Sequence, residues 1–177
     1  MLQLETATMR SINDILNELH SRSDCVFRPA TRLPSLPERL QLPPDVAEFY
    51  SRFSEARLFG DPLDPRYHIL PPEEFAQIGM AIYGQPTSEP LQRSWFALAH
   101  VQDGNYIAID CDPARLGYCY DAFHETIHLL AHCRIICRSF TELMSRAADA
   151  GDDAWWLGDR FETYGYADTL RSSPDQT

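Results

Sequence analysis

The sequence contains no lysine; all fifteen of its basic side chains are arginine. That excludes a P-loop lysine and a Schiff-base lysine, and codon usage in a GC-rich genome is enough to explain it. No apolar run approaches the roughly 20 residues of a membrane span. The five cysteines, Cys25, Cys111, Cys119, Cys133 and Cys137, include no C-x-x-C pair, and no serine sits in a G-x-S-x-G elbow. The opening MLQLETATMR is too polar for the apolar core of a signal peptide. Together these absences indicate a cytoplasmic protein with reduced, mostly buried thiols and no cofactor. Positive charge is also scarce: 26 acidic against 15 basic residues give a net charge of −11. A nucleic-acid binder needs a basic stripe to neutralise phosphates, and there is none. An acidic surface suits solubility or a basic partner.

What is present describes one domain. A chain of 177 residues buries roughly 70% of its unfolded surface and needs no metal or disulfide to fold. Met9, Ile12, Ile15, Leu16 and Leu19 predict an amphipathic helix over 8–20. A proline-punctuated stretch, RPATRLPSLPERLQLPP, ends at Pro43-Pro44, which opens a second helix over 44–55. ARLFG and YHIL read as strands around the loop DPLDPR. A third helix is expected from PPEEF to Gly84. WFALAHV and NYIAID form a hairpin through Asp103-Gly104, and GYCYDAF is a further strand. Asp110 and Asp112 lack the rest of a calcium loop and read as a solvated turn. Ser139 and Glu142 form a capping box for a last helix that stops before Gly151. The domain is expected over 1–157, with Trp155 and Trp156 packing its end. An acidic, partly disordered tail is expected over 158–177.

One motif carries chemistry. His124-Glu125-Thr126-Ile127-His128 fits the H-E-x-x-H pattern of zinc hydrolases. That chemistry needs both histidines on one face of one helix. Over 127–138 a strand pattern matches at ten of twelve positions and a helix pattern at nine. The capping box decides between them: an N-cap residue has non-helical dihedrals, so a helix starting at Ser139 is not the continuation of one through 138. A strand near 133–137 follows, with His124 and His128 as a decoy rather than a metal site. A structural zinc site from His128, His132, Cys133 and Cys137 is explained more simply by alternating burial of the cysteines.

Four stretches in order, LPPDVAEFYSRFSEARLFG, YHILPPEEFAQI, WFALAHVQDGNYIAIDCD and GYCYDAFHETIHLLAHCRIICRSFTELM, resemble the SUKH superfamily, the SMI/KNR-type family of cell-wall regulators and bacterial toxin-immunity proteins. They cover about residues 40–157. Cys137 stands where the family usually has alanine, and Ala56 where many members have glycine. The resemblance implies an α+β fold, with a single twisted, mainly antiparallel sheet packed by helices, and FHET at a strand end. It carries no catalytic residue with it. It implies a protein-binding function: an immunity protein that neutralises a cognate toxin, nuclease toxins included, or else a regulatory scaffold without a toxin. The zinc-dependent hydrolase is the third reading. With the −11 charge, the resemblance points to a basic toxin domain as partner and to neither nucleic acid nor membrane. The candidate contacts are Asp61, Asp64, Glu73, Glu74, Asp103, Asp121 and Glu125, with Trp155 and Trp156 as apolar alternatives.

Overall fold

The computed structural model describes residues 10–171. In chain order the elements are α1 (Ile12–His20), β1 (Cys25–Pro29), α2 (Pro44–Arg52), β2 (Phe53–Asp61), β3 (Asp64–Ile69), α3 (Ile78–Tyr83), β4 (Trp95–Val101), β5 (Asn105–Asp110), β6 (Cys119–Ala122), β7 (Ile135–Cys137) and α4 (Phe140–Ala150). The seven strands form one sheet in which spatial order equals sequence order and every neighbouring pair is antiparallel. The α+β class with a single antiparallel sheet is therefore as expected.

Strand alternation sends side chains to two unlike faces. One face carries Leu58, Tyr67, Ile69, Leu98, Ile107 and Ile109 and packs against the apolar stripes of α1, α2 and α4. The other carries Trp95, Ala97, Ala108, Tyr120 and Ala122 and is covered by Ile78 of α3, by Ile127, Leu130 and Cys133, and by Ala167. Small alanines on this second face let Trp95 and Tyr120 stack with ring centroids 3.8 Å apart. All five cysteines are buried and unpaired, and burial pushes the Cys133 thiol up to about 12.

Several boundaries differ from the sequence expectation, each for a local reason. The first helix falls within the expected 8–20, of which residues 8 and 9 lie outside the described residues. The second stops at Arg52 because Phe53 is already extended (φ −137°, ψ 152°) and starts β2. The third begins at Ile78, not Pro71. Residues 71–75 turn instead, with Phe75 N–H donating to Pro71 O, and the chain then runs along β4, where Ala97 N–H donates to Ala76 O at 2.8 Å. β1 was not expected: its Cys25 and Phe27 face inward, but five residues give too short a run to stand out. Asp110 does not lie in a solvated turn; it is completely buried. Beyond residue 157 the chain still packs on the domain. Tyr164 N–H donates to Ile135 O, Ile135 N–H to Gly165 O, and Ala167 is fully buried. Residues 172–177 lie outside the described residues.

The β2–β3 hairpin keeps one register to its tip but is twisted near it. Phe59 (φ 60°) and Gly60 (φ 92°) both lie in the left-handed region, which is costly for phenylalanine. Phe59 is unpaired between the pairs Leu58–Tyr67 and Gly60–Pro65, while the register on either side is the same. This rotation buries Leu58 and Phe59 together and leaves the Asp61–Asp64 tip projecting beyond the sheet, with Leu63 89% exposed.

The capping box sets the start of α4. Ser139 is extended (φ −156°, ψ 160°), and its Oγ accepts from Glu142 N–H at 3.0 Å. The return arm is offset by one residue, because Glu142 Oε2 accepts from Arg138 N–H at 2.9 Å. Ser139→Ala is predicted to cost about 0.5–2 kcal/mol, measured as a lower urea midpoint at unchanged slope. An unchanged midpoint would place the helix start elsewhere.

Candidate functional site

The antiparallel registers gather most of the sequence-predicted residues at one end of the sheet. Tyr67 pairs with Val101, Val101 with Asn105, and Tyr106 with Ala122. The β2–β3 tip, the β4–β5 turn (Gln102–Gly104) and the exit of β6 therefore lie at the same end, called here the turn end. The exit of β6 leads directly into FHETIH. The Trp155–Leu157 turn joins this end as well: Tyr67 OH donates to Asp153 O at 3.1 Å, and Trp156 packs on Tyr67 at 5.8 Å.

The carboxylates there do not all serve alike. Asp61 and Asp64 are exposed and face each other across the hairpin, and Asp61 Oδ1 accepts from Leu63 N–H to shape the tip. Glu125 is exposed. The side chain of Asp103 lies outside the described residues. Asp121 was expected in an exposed turn but sits on β6, half-buried, with Arg134 at 2.9 Å. Burial pushes its carboxyl above the usual range, against the pull of Arg134. Glu73 and Glu74 are exposed, but they lie beyond the far end of β3, whose extended length is roughly 17 Å. Glu73 is held there by Arg32 at 3.1 Å.

Neither tryptophan projects as a surface anchor. Trp156 is 2% exposed. Trp155 is half-buried between Phe161, at 5.2 Å, and the Arg146 guanidinium, 5.1 Å above its ring. The exposed apolar side chain of this turn is Leu157, at 61%, which is not among the candidate contacts expected from the sequence. A second acidic group borders the nearby groove beside α4, where Asp149, Asp153, Asp159 and Glu162 surround Trp155 and Phe161.

The H-E-x-x-H stretch forms a series of turns, not a helix. Thr126 N–H and Ile127 N–H both donate to Phe123 O, and Leu129 N–H donates to Thr126 O. His124 is held by Asn105, with Nδ1 2.9 Å from Oδ1. The two histidines face different cavities: His124 lines one of about 610 Å³ at the turn end, and His128 one of about 520 Å³ against α3. Among the described residues, no three His, Cys, Asp or Glu side chains converge as a metal site requires. No described helix is long and apolar enough to cross a membrane. Protein purified without chelators is predicted to carry no stoichiometric zinc. One equivalent of zinc, lost on His128→Ala, would contradict this geometry.

Comparison with known proteins agrees with the fold. Residues 38–146 match the SMI1 / KNR4 family (SUKH-1). The chain is 32% identical over 158 residues to "Immunity protein YokJ" of Bacillus subtilis (strain 168), an alignment that covers 89% of this chain and 95% of that protein. No solved structure matches. The family match takes in α2 through most of α4, including the strands that build the turn end, and the chain belongs to the SMI1 / KNR4 family (SUKH-1).

Proposed function

We propose that this chain is an immunity protein that acts without catalysis, binding a cognate toxin and blocking it in the cytoplasm. The observation that carries this reading is its likeness to an immunity protein along 95% of that protein's length. The interior agrees with a binding role. The thiols are buried, Asp110 is enclosed by its own hydrogen-bond partners, and five unpaired cysteines suit a reducing compartment.

The partner we propose is a basic protein domain, such as a nuclease with a phosphate-binding cleft. The net charge of −11 favours such an encounter over long range. Asp61, Asp64 and Glu125 are exposed carboxylates at the turn end and make the best short-range contacts. Glu73 and Glu74 belong to a different region and take a lesser part. The gene product encoded beside this chain is the partner to test, and a flanking frame without toxicity would favour a regulatory scaffold instead.

Co-expression should rescue growth from that toxin. Raising ionic strength from about 0.05 M to about 0.5 M should slow association on the order of tenfold. Asp61→Asn, Asp64→Asn and Glu125→Gln together should lower the association rate by a similar factor, whereas Glu73→Gln with Glu74→Gln should change it by less than about twofold. Tight binding that ignores both salt and the turn-end changes would refute the acidic mechanism.

A further inference from the structure

The cavity of about 610 Å³ at the turn end has a lining unlike its rim. The exposed groups around this end include Asp61, Asp64 and Glu125. The cavity itself presents apolar surface from Val101, Phe123 and Leu157 and cationic groups from Arg66 and Arg134. The Asp121 carboxylate in the lining is already bonded to Arg134. The Arg66 Nε is buried and has no hydrogen-bond partner among the described residues. Arg66 forms no ion pair among the described residues, so its charge in the lining is unanswered, whereas that of Arg134 is met by Asp121. Leu157, 61% exposed, forms an apolar lip.

We propose that this cavity receives an apolar anchor of the bound toxin, a side chain adjoining a carboxylate. The inference rests on the immunity reading and deepens it. The anchor's apolar body lies against Val101, Phe123 and Leu157, and its carboxylate accepts from Arg66, a charge-assisted bond suited to the guanidinium fork. The outer carboxylates attract a basic surface, while the inner arginine selects one acidic group within it. A basic protein without that group would be attracted but not retained. Anchors that fill such pockets carry most of an interface's affinity.

The cavity can be tested without knowing the toxin, using N-acetyl-phenylalanine and its amide as probes on the full ¹⁵N-labelled chain. The acid should give saturable shifts centred on the amides of Val101, Asn105, Phe123 and Leu157, and should bind about tenfold more tightly than the amide. Arg66→Gln should abolish that preference, and Leu157→Glu, at an exposed position, should weaken both probes without altering amide dispersion. Equal affinity for acid and amide, shifts centred elsewhere, or no saturable shift would overturn the proposal. With the toxin itself, Arg66→Gln and Leu157→Glu should each weaken binding about tenfold or more. Full binding by both variants, where the wild-type chain protects cells, would overturn the anchor and leave immunity standing. A wild-type chain that neither binds nor protects against the toxin would overturn both.

Discussion

Asp110 closes β5 as a fully buried carboxylate, and the geometry of the central sheet depends on its being satisfied. It accepts from Ser94 Oγ at 2.6 Å, Arg115 Nε at 2.9 Å, Tyr120 OH at 2.9 Å and Asp112 N–H at 3.0 Å. Burial pushes its carboxyl upward, and these donors, with the charge of Arg115, act against that shift. A buried charge that loses its partners costs several kcal/mol. The approach to β4, the end of β5, the 111–117 turn and the centre of β6 are thereby held in one register. A one-residue slip in β6 would move Tyr120 away from both Asp110 and Trp95 and would send its side chains to the wrong faces. Because β6 is short, the position of Ala122 follows from that register, and with it the start of the FHETIH turns at the opposite end.

The fold was legible where a local signal and the tertiary outcome agree. The β4–β5 hairpin shows both alternation and a turn dipeptide, and Ser139 shows its cap. That cap was enough to remove H-E-x-x-H from a helix. The third helix misled because Pro71, Pro72 and two glutamates make a good helix start in isolation. The segment instead satisfies backbone groups of β4, a long-range demand invisible in a local window. Asp110 was visible as half of an acidic pair, but its burial was not: the donors that make burial tolerable come from residues 94, 112, 115 and 120. The end of the chain looked like a tail because its composition is polar, although only a few groups, Ala167 among them, need to be buried to hold it.

The candidate site was partly legible for the same reason. Sequence reading found exposed turn carboxylates but could not say which turns share an end. Antiparallel order decides that, bringing Asp61, Asp64 and Glu125 to one end and placing Glu73 and Glu74 elsewhere. It also withdraws Asp121 from the surface, since Arg134 on the neighbouring segment pairs with it. The residues missed were Arg66 and Leu157. Neither belongs to a motif, and each gains meaning only from the cavity it lines. Net charge gave the sign of the long-range field, whereas the lining of the cavity at the turn end holds two arginines and one aspartate.

Amide hydrogen exchange on this chain, free and bound to the toxin partner we propose for it, tests most directly where the binding face lies. Because exchange reports local opening, a bound partner slows it where it covers backbone. Protection is predicted at 61–64, 102–105, 123–126 and 154–157, with little change on the outer surfaces of α1 and α2. Protection concentrated on α1 and α2, with the turn end exchanging as in the free chain, would contradict the account.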